Sequence, residues 1–255
     1  MEIRCVPTEF EGIREAVLDH HAEMPSPIES FLEDHIMGST HYRIEIGGVA
    51  AGFASVFDGY LLTQFALGGP LRRYGQAAFQ EVRRLESVRA AYVPTSDGFF
   101  IAHALDDYRT LANQAYFFVL GDREPRPSDL SGYALVPATQ ANIPTIVAET
   151  GDFFANIERH IAAGALFLTQ RHDETVAYGI FELSQLSDAA SVGMFTREPF
   201  RHQGAGTATI RLLIAMMHER GRRPVAGCWY YNHASKRTLE AAGLISPTRL
   251  LNVGF

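Results

Sequence analysis

Residues 194–207 of the chain read MFTREPFRHQGAGT. This stretch predicts a strand that runs into a short loop, after which the pattern R-x-x-G-x-G, from Arg201 to Gly206, opens a long helix. The first turn of a helix carries unpaired amide groups, and the helix dipole adds partial positive charge there. Gly204 and Gly206 would let the backbone approach a phosphate with no Cβ in the way. The stretch therefore predicts an anion-binding turn; a tight turn whose glycines serve packing is the alternative.

Two other phosphate-binding patterns are missing from the sequence. It contains no G-x-x-x-x-G-K-[ST], which argues against a P-loop. It also contains no G-x-G-x-x-G followed by the acidic ribose-binding residue of a dinucleotide fold.

A second informative segment follows at residues 225–244, which read VAGCWYYNHASKRTLEAAGL. It predicts a strand, then Asn232, then a helix that Gly243 closes. R-x-x-G-x-G at a helix start, followed by N-x-x-S-x-x-x-L-x-x-x-G-L after a strand, resembles the two core motifs of the GNAT (N-acetyltransferase) superfamily. Order and spacing match over residues 131–255. The chain also looks like a tandem-type bacterial protein in which another half precedes the GNAT domain.

The resemblance and the order of predicted elements imply an α/β (α+β) chain with two GNAT-like domains. Each domain would be a mixed, mostly antiparallel central sheet flanked by helices. Residues 1–125 and 126–255 begin alike, with a predicted strand and then apolar residues at helical spacing. The charged, proline-rich run Gly121–Asp129 between them predicts a linker.

Apolar periodicity predicts the individual elements. In the first half, strands are expected at 2–8, 42–46, 49–57 and 90–94, and helices at 10–20, 27–37, 75–85 and from 99 onward. In the second half, strands are expected at 133–139, 165–170, 176–183, 191–196, 225–231 and 250–255, and helices at 140–150, 154–163, 204–220 and 234–242.

The first half is predicted to be a degenerate GNAT-like domain. Residues 72–77, RRYGQA, echo the helix-opening pattern, but the later motif with Asn and Ser does not follow the predicted strand Ala90–Pro94. This half would then have lost cofactor binding and would cover the sheet and shape the substrate side. An unrelated α/β lid domain is the alternative.

The resemblance implies acetyl-CoA as acetyl donor and no metal. Backbone groups of residues 194–196 would pair with the pantetheine arm as an added strand, and amides from 202 to 207 would hold the pyrophosphate. Asn232 and Ser235 would line the place where two strands separate; a helix cap is the alternative role of Asn232. The implied cofactor-binding residues are Met194, Phe195, Thr196, Arg201, His202, Gln203, Gly204, Ala205, Gly206, Thr207, Asn232 and Ser235.

The resemblance also shows a missing catalytic group. Many family members carry a tyrosine seven residues after the strand-ending Asn, as general acid, and Leu239 stands there in this chain. Tyr230 and Tyr231 are nearby candidates, with packing at the strand end as the alternative. An amine must lose a proton before it attacks, so a general base is also expected. Glu182 and a water held by the backbone are the candidates.

Composition narrows the function classes. The 255 residues are 47% hydrophobic and 20% charged, with a net charge of −7, which is typical of globular proteins and unfavourable for nucleic-acid binding. Most of the negative charge lies in residues 1–125, which favours a cationic substrate or is only a solvated face. No apolar run approaches the ~20 residues of a membrane helix, and the start lacks a signal-peptide pattern. Cys5 and Cys228 predict reduced thiols in a cytoplasmic protein, with neither a disulfide framework nor a metal site.

These features predict acetyl transfer from acetyl-CoA to an amine by direct attack in a ternary complex. The expected partner is a small amine, with no nucleic acid and no membrane, and the chain is expected to be a monomer or a homodimer. A non-catalytic acyl-CoA-binding or sensing module is the alternative function, and acyl transfer to a hydroxyl is a third.

Overall fold

The computed structural model describes residues 1–85, 87–122 and 130–255. Most of the predicted linker lies outside the described residues, and the boundary at 125/126 stays a prediction. The strands in the described residues are β1 Ile3–Thr8, β2 Thr40–Ile46, β3 Val49–Phe57, β4 Leu61–Leu67, β5 Ala90–Pro94, β6 Thr110–Leu120, β7 Tyr133–Pro137, β8 Leu166–Arg171, β9 Glu174–Leu183, β10 Ala189–Thr196, β11 Arg223–Trp229 and β12 Leu244–Gly254. The α-helices are α1 Arg14–Glu23, α2 Ser30–Met37, α3 Gly75–Arg83, α4 Gly98–Ala104, α5 Ile143–Thr150, α6 Ile157–Ala162, α7 Ala205–Glu219 and α8 His233–Ala241.

The described strands form one continuous sheet in the order β1-β2-β3-β4-β5-β12-β6-β11-β10-β9-β8-β7. Neighbouring strands are antiparallel except for β4 with β5 and β10 with β11, which are parallel. The two parallel pairs occupy equivalent positions in the two halves. The predicted fold class is therefore confirmed, with the two predicted sheets joined into one.

The two halves exchange their last strands. β6, from the first half, lies between β12 and β11, and β12, from the second half, lies between β5 and β6. Tyr116 of β6 pairs with Cys228 of β11, and Leu251 of β12 pairs with Val93 of β5. Each half therefore needs the other to complete its part of the sheet.

The sequence prediction missed two strands, β4 and β6, and the first part of β12. All residues of β4 are buried, so this strand has no alternation of apolar and polar positions to mark it. β6 begins with the exposed residues Thr110–Ala112, and its residues are buried only from Ala115. The predicted strand 225–231 ends at Trp229, and the helix predicted at 10–20 starts at Arg14, after a 3-10 turn.

Helices cover both faces of the sheet. In β3, Phe53 packs under α1 and α2, while the neighbouring Ala54 packs under α3 and α4. In β6, Phe117 packs on the α2 side and Phe118 packs with α7 and α8. None of the helices in the described ranges is both long and apolar enough to cross a membrane.

Candidate functional site

A gap opens between two parallel strands in the second half. β10 and β11 pair only at their first residues, and the last pair is Ser191 with Val225. Beyond that pair β10 continues to Thr196 and β11 to Trp229, so the edges of the two strands separate. The two strands therefore separate, as predicted, and the gap between them begins after Ser191 and Val225.

Backbone groups of β10 face this gap. The amide of Ser184 donates to the carbonyl of Ala189, and the amide of Arg197 donates to the carbonyl of Val176, so odd-numbered residues of β10 bond to β9. Because hydrogen-bonding direction alternates along a strand, the even-numbered residues face β11. Three residues of β10 were predicted to contact pantetheine. The backbone N–H and C=O groups of Met194 and Thr196 face the gap, whereas those of Phe195 face β9.

The N-terminus of α7 lies at the open end of the gap. The first hydrogen bond of the helix runs from the amide of Ala208 to the carbonyl of Gly204, at 2.9 Å. The amides of residues 205–207 precede this bond and have no acceptor within the helix. A cleft of about 210 Å³ that Gln203 and Ala205 help to line lies beside the same turn.

The two glycines of the motif have different structural roles. Gly204 has a φ of +86°, and a Cβ there would meet no atom within 4 Å, so this glycine provides a left-handed turn. A Cβ on Gly206 would lie 2.8 Å from Thr196 Oγ1 and 3.4 Å from Met194 Sδ. Gly206 therefore allows α7 to pack against the end of β10.

The exposed loop before α7 holds the remaining motif residues. Arg201 donates from Nε to the carbonyl of Thr196, at 3.3 Å. His202 has a φ of +61°, a left-handed conformation that a non-glycine residue seldom adopts. Gln203 donates from Nε2 to the carbonyl of Pro199, at 2.8 Å, and so stabilises the loop from within.

The end of β11 and the start of α8 form the other side of the gap. Asn232 caps α8, because its side chain accepts a hydrogen bond from the amide of Ser235 at 3.0 Å. Cys228 is half-buried, and burial raises the pKa of its thiol to about 11. At neutral pH this cysteine is a protonated thiol, in agreement with the predicted packing role.

The predicted catalytic tyrosines follow β11. Tyr230 stacks on Tyr116 of β6, with ring centroids 4.8 Å apart, while Tyr231 is 58% exposed. Leu239, at the usual tyrosine position, is buried in the core that α7 and α8 share with the sheet. Tyr116 could not be predicted as a neighbour of these tyrosines, because the sequence did not predict β6.

Two carboxylates from different halves flank Ser191. Glu182 of β9 lies opposite Ser191 across the strand pair, and its side chain is 3.7 Å from His160 Nε2. The second carboxylate, Glu29, immediately precedes α2. It lies close to Ser191, because the amide of the next residue, Ser30, donates to Ser191 Oγ at 2.8 Å. Sequence reasoning missed Glu29, because nothing local marks a residue so far away in sequence.

The equivalent gap of the first half is filled. β4 and β5 pair only through Leu61 and Leu62, but every residue of β4 is buried. His21 hydrogen-bonds Gln64 at 2.8 Å, and burial lowers the pKa of this histidine to about 4. Beside it, His20 Nε2 lies 2.7 Å from Asp97 Oδ2. The cavity left among these side chains measures about 10 Å³, room for one water at most.

The start of α3 in the first half also differs from that of α7. A 3-10 turn at Gly69–Tyr74 runs directly into α3, and the amide of Gly75 donates to the carbonyl of Arg72. A Cβ on Gly75 would lie 2.2 Å from His103 Nε2. This glycine, which corresponds to Gly204 in the repeated pattern, is therefore kept for packing.

No group of three or more potential metal ligands lies together in the described ranges. The candidate site of the second half consists of the strand gap, the backbone edge of β10 and the free amides of α7.

Comparison with known proteins identifies the fold family. Residues 9–120 match the family model described as "Acetyltransferase (GNAT) domain". This match falls in the half that was predicted to be degenerate, so the alternative of an unrelated lid domain is wrong. None of the curated proteins compared with the chain matches it.

Solved structures match across both halves. An acetyltransferase of the GNAT family from Colwellia psychrerythraea matches with a TM-score of 0.87 at 17% identity, and the match covers 100% of both chains. A tandem GNAT protein from the clavulanic acid biosynthesis pathway matches with a TM-score of 0.64 at 15% identity, over 99% of this chain and 98% of that one. A GCN5-related N-acetyltransferase from Sphaerobacter thermophilus matches with a TM-score of 0.60 at 15% identity, over 98% and 95%. Both halves of the chain therefore have the fold of these GNAT acetyltransferases, and residues 9–120 are similar to a GNAT acetyltransferase domain.

Proposed function

We propose that the chain is an acetyl-CoA-dependent N-acetyltransferase whose cofactor site is the strand gap of the second half. The observation that carries this proposal is the contrast between the two gaps. In the second half, residues 193–196 of β10 are only partly buried, and the helix that follows offers free amides. In the first half, β4 is fully buried and side chains fill the gap.

The residues present fit an acyl-CoA. The backbone of Met194 and Thr196 would bind an extended, amide-containing arm in the manner of an added strand. The amides of Ala205, Gly206 and Thr207 would bind the pyrophosphate, since helix N-termini favour anions. Arg201, exposed at the rim, would add positive charge. When bound, the thioester supplies an activated acetyl group.

We propose a small cationic amine as acceptor. Glu29 and Glu182 place carboxyl groups near the closed end of the gap, and burial together with the nearby charge of Glu182 raises the pKa of Glu29. Such a cluster favours a bound cation. The amine would attack directly, with the chain's residues positioning it beside the thioester and polarising the carbonyl.

A non-catalytic acyl-CoA sensor is the second candidate function. It is favoured by Leu239, which is buried in the core and offers no proton to a leaving thiolate. Release of free thiol from acetyl-CoA in the presence of primary amines distinguishes the two. An enzyme releases thiol in step with amine consumption, while a sensor binds acetyl-CoA without releasing thiol.

Titration calorimetry is expected to give one acetyl-CoA per chain, whether the chain is a monomer or a homodimer. The physical reason is that a cavity of about 10 Å³ in the first-half gap cannot admit a pantetheine arm. Trp229, the single tryptophan, is 58% exposed at the end of β11 and provides an independent fluorescence signal. Two equivalent sites per chain would contradict the assignment to the second half, and absence of binding at millimolar concentration would contradict the proposed function itself.

A further inference from the structure

The carboxyl group of Glu29 lies over β11, beside the strand gap of the second half, although Glu29 belongs to the first half. The adjoining amide of Ser30 is bound to Ser191, the last residue of β10 that pairs with β11. A Cβ built on Gly227 of β11, two residues beyond the last pair, would lie 2.7 Å from both Cδ and Oε2 of Glu29. The carboxyl therefore occupies the space that a side chain at position 227 would fill, at the closed end of the gap.

This carboxyl is buried and has no cationic partner. Glu29 is 7% exposed, and none of the ion pairs among the described residues includes it. Its Oε1 accepts a hydrogen bond from the amide of Leu32, at 3.3 Å. The pKa of Glu29 is raised to about 7, mainly by burial and to a smaller extent by the charges of Glu182 and Asp34, against the lowering effect of the Phe31 and Leu32 amides.

A buried carboxylate without a counter-ion lowers the stability of a protein, and such groups concentrate at functional sites. A helix cap alone does not account for it, because asparagine, aspartate and serine cap helices better than glutamate. The acid also requires glycine at 227, so two positions from different halves depend on each other.

We propose that Glu29 is the general base of the second-half site, so that the first half supplies a catalytic residue to the half that binds the cofactor. The inference rests on the proposed function and deepens it. The acceptor would be a protonated primary amine, whose ammonium group provides the missing counter-ion.

In the proposed step, the ammonium gives one proton to the Glu29 carboxylate, and the nitrogen lone pair attacks the thioester carbonyl carbon. The C–N bond forms and the C–S bond breaks. The thiolate leaves with the bonding electron pair and takes the second proton of the nitrogen. Glu29 then returns its proton to water.

The test compares Glu29→Gln with two matched variants. Glutamine keeps an oxygen for the Leu32 amide but cannot accept a proton at neutral pH. Glu33→Gln, on the same helix, changes a carboxyl that is bound to Ser184 Oγ at 2.6 Å, outside the gap. Glu182→Gln removes the competing base. Acetyl-CoA binding is measured by calorimetry and Trp229 fluorescence, and turnover by thiol release with a panel of primary amines.

We expect Glu29→Gln to bind acetyl-CoA within about threefold of the wild type and to lower kcat by roughly 100- to 10,000-fold, the usual contribution of a general base. In the wild type, kcat/KM should rise with pH through about 7, and this limb should be absent in the variant. The titratable groups that face Glu29 are Glu182 on β9, Asp34 on its own helix and Cys228 on β11. Glu33→Gln should change kcat by less than about fivefold.

A second readout does not depend on turnover. The pKa of Glu29 is about 7 in the folded chain, against 4.5 for an ordinary glutamate, so the folded state binds the proton more tightly. Its stability contribution is therefore full below pH 4.5 and is lost as pH rises through 7. Urea unfolding should show Glu29→Gln more stable than the wild type at pH 8.5, by up to roughly 300-fold in the unfolding constant, and equal to it near pH 4.5.

Several results would overturn the assignment. They are an unchanged kcat in Glu29→Gln, a pH limb that disappears in Glu182→Gln instead, or no gain in stability at pH 8.5. If the wild type and Glu29→Gln acetylated amines equally well, the role of Glu29 would be contradicted while the proposed function would stand. If the wild type bound no acetyl-CoA, the proposed function would fall, and the general base with it.

Discussion

Replacing Gly204 by Asp is expected to weaken acetyl-CoA binding by more than about 100-fold while the protein stays folded. A Cβ at this position meets no atom within 4 Å, and aspartate tolerates the left-handed φ of +86° better than most residues. The new carboxylate would stand beside the free amides of Ala205 and Gly206. At about 5 Å from a pyrophosphate charge, with an effective dielectric constant of about 20, the repulsion is about 3 kcal/mol. Calorimetry with acetyl-CoA and CoA measures the loss.

Gly204→Asn is the matched control. Asparagine has the same shape and accepts the same backbone conformation, but it carries no charge. It should weaken binding by less than about tenfold, and the difference between the two variants should shrink at high salt. An equal loss of acetyl-CoA affinity in both variants would indicate backbone strain at the turn. Unchanged affinity in both would contradict pyrophosphate binding at the start of α7.

Gly206 is the less informative position for such a test. Its Cβ would lie 2.8 Å from Thr196 Oγ1 and 3.2 Å from Thr238 Cγ2. A side chain there would move α7 away from β10 and lower stability together with binding.

Replacing Leu250 by Ala is expected to destabilise the whole chain by about 2–5 kcal/mol, the usual cost of removing a buried leucine. Leu250 belongs to β12 of the second half, yet its side chain packs with Leu32, Phe53 and Phe117 of the first half. Since the exchanged strands tie the halves together, unfolding should remain a single transition. Urea denaturation followed by circular dichroism and by Trp229 fluorescence should show both signals shifting together.

Ile245→Ala, on the same strand, is the control for Leu250→Ala. Ile245 is 50% exposed, so its truncation should cost less than about 1 kcal/mol. Two separate transitions, with the fluorescence signal shifted and the remaining change unshifted, would contradict the view that the exchange makes one cooperative unit.

Two stacked tyrosines lie at the end of β11, where a proton donor to the leaving thiolate would be needed. Tyr230 and Tyr116 stack at the end of β11, beside Lys236 and Arg249, whose cationic groups lie 5.4 Å and 4.3 Å from the Tyr116 ring. Tyr116 is thus a candidate that the second half receives from the first half, through β6.

Sequence reasoning worked best where a local pattern expresses a local structure. The loop 197–204 and the helix from Ala205 follow from glycine spacing and apolar periodicity. The cap, which was the alternative role of Asn232, follows from its position before α8. β4 could not be predicted in this way, because a strand buried on both faces has no alternating pattern. Glu29 and Tyr116 could not be placed at the site, since their neighbours there lie more than a hundred positions away in sequence.

By itself, the sequence determined the fold family, the two similar halves and the helix whose first turn presents free amides. These depend on propensity, periodicity and turn chemistry, which act over a few residues. Only the tertiary structure decided that the halves exchange their last strands, that His21 and Gln64 fill one gap while the other stays open, and that Glu29 reaches Gly227. Strand order and side-chain packing between distant segments depend on contacts that no short stretch of the sequence contains.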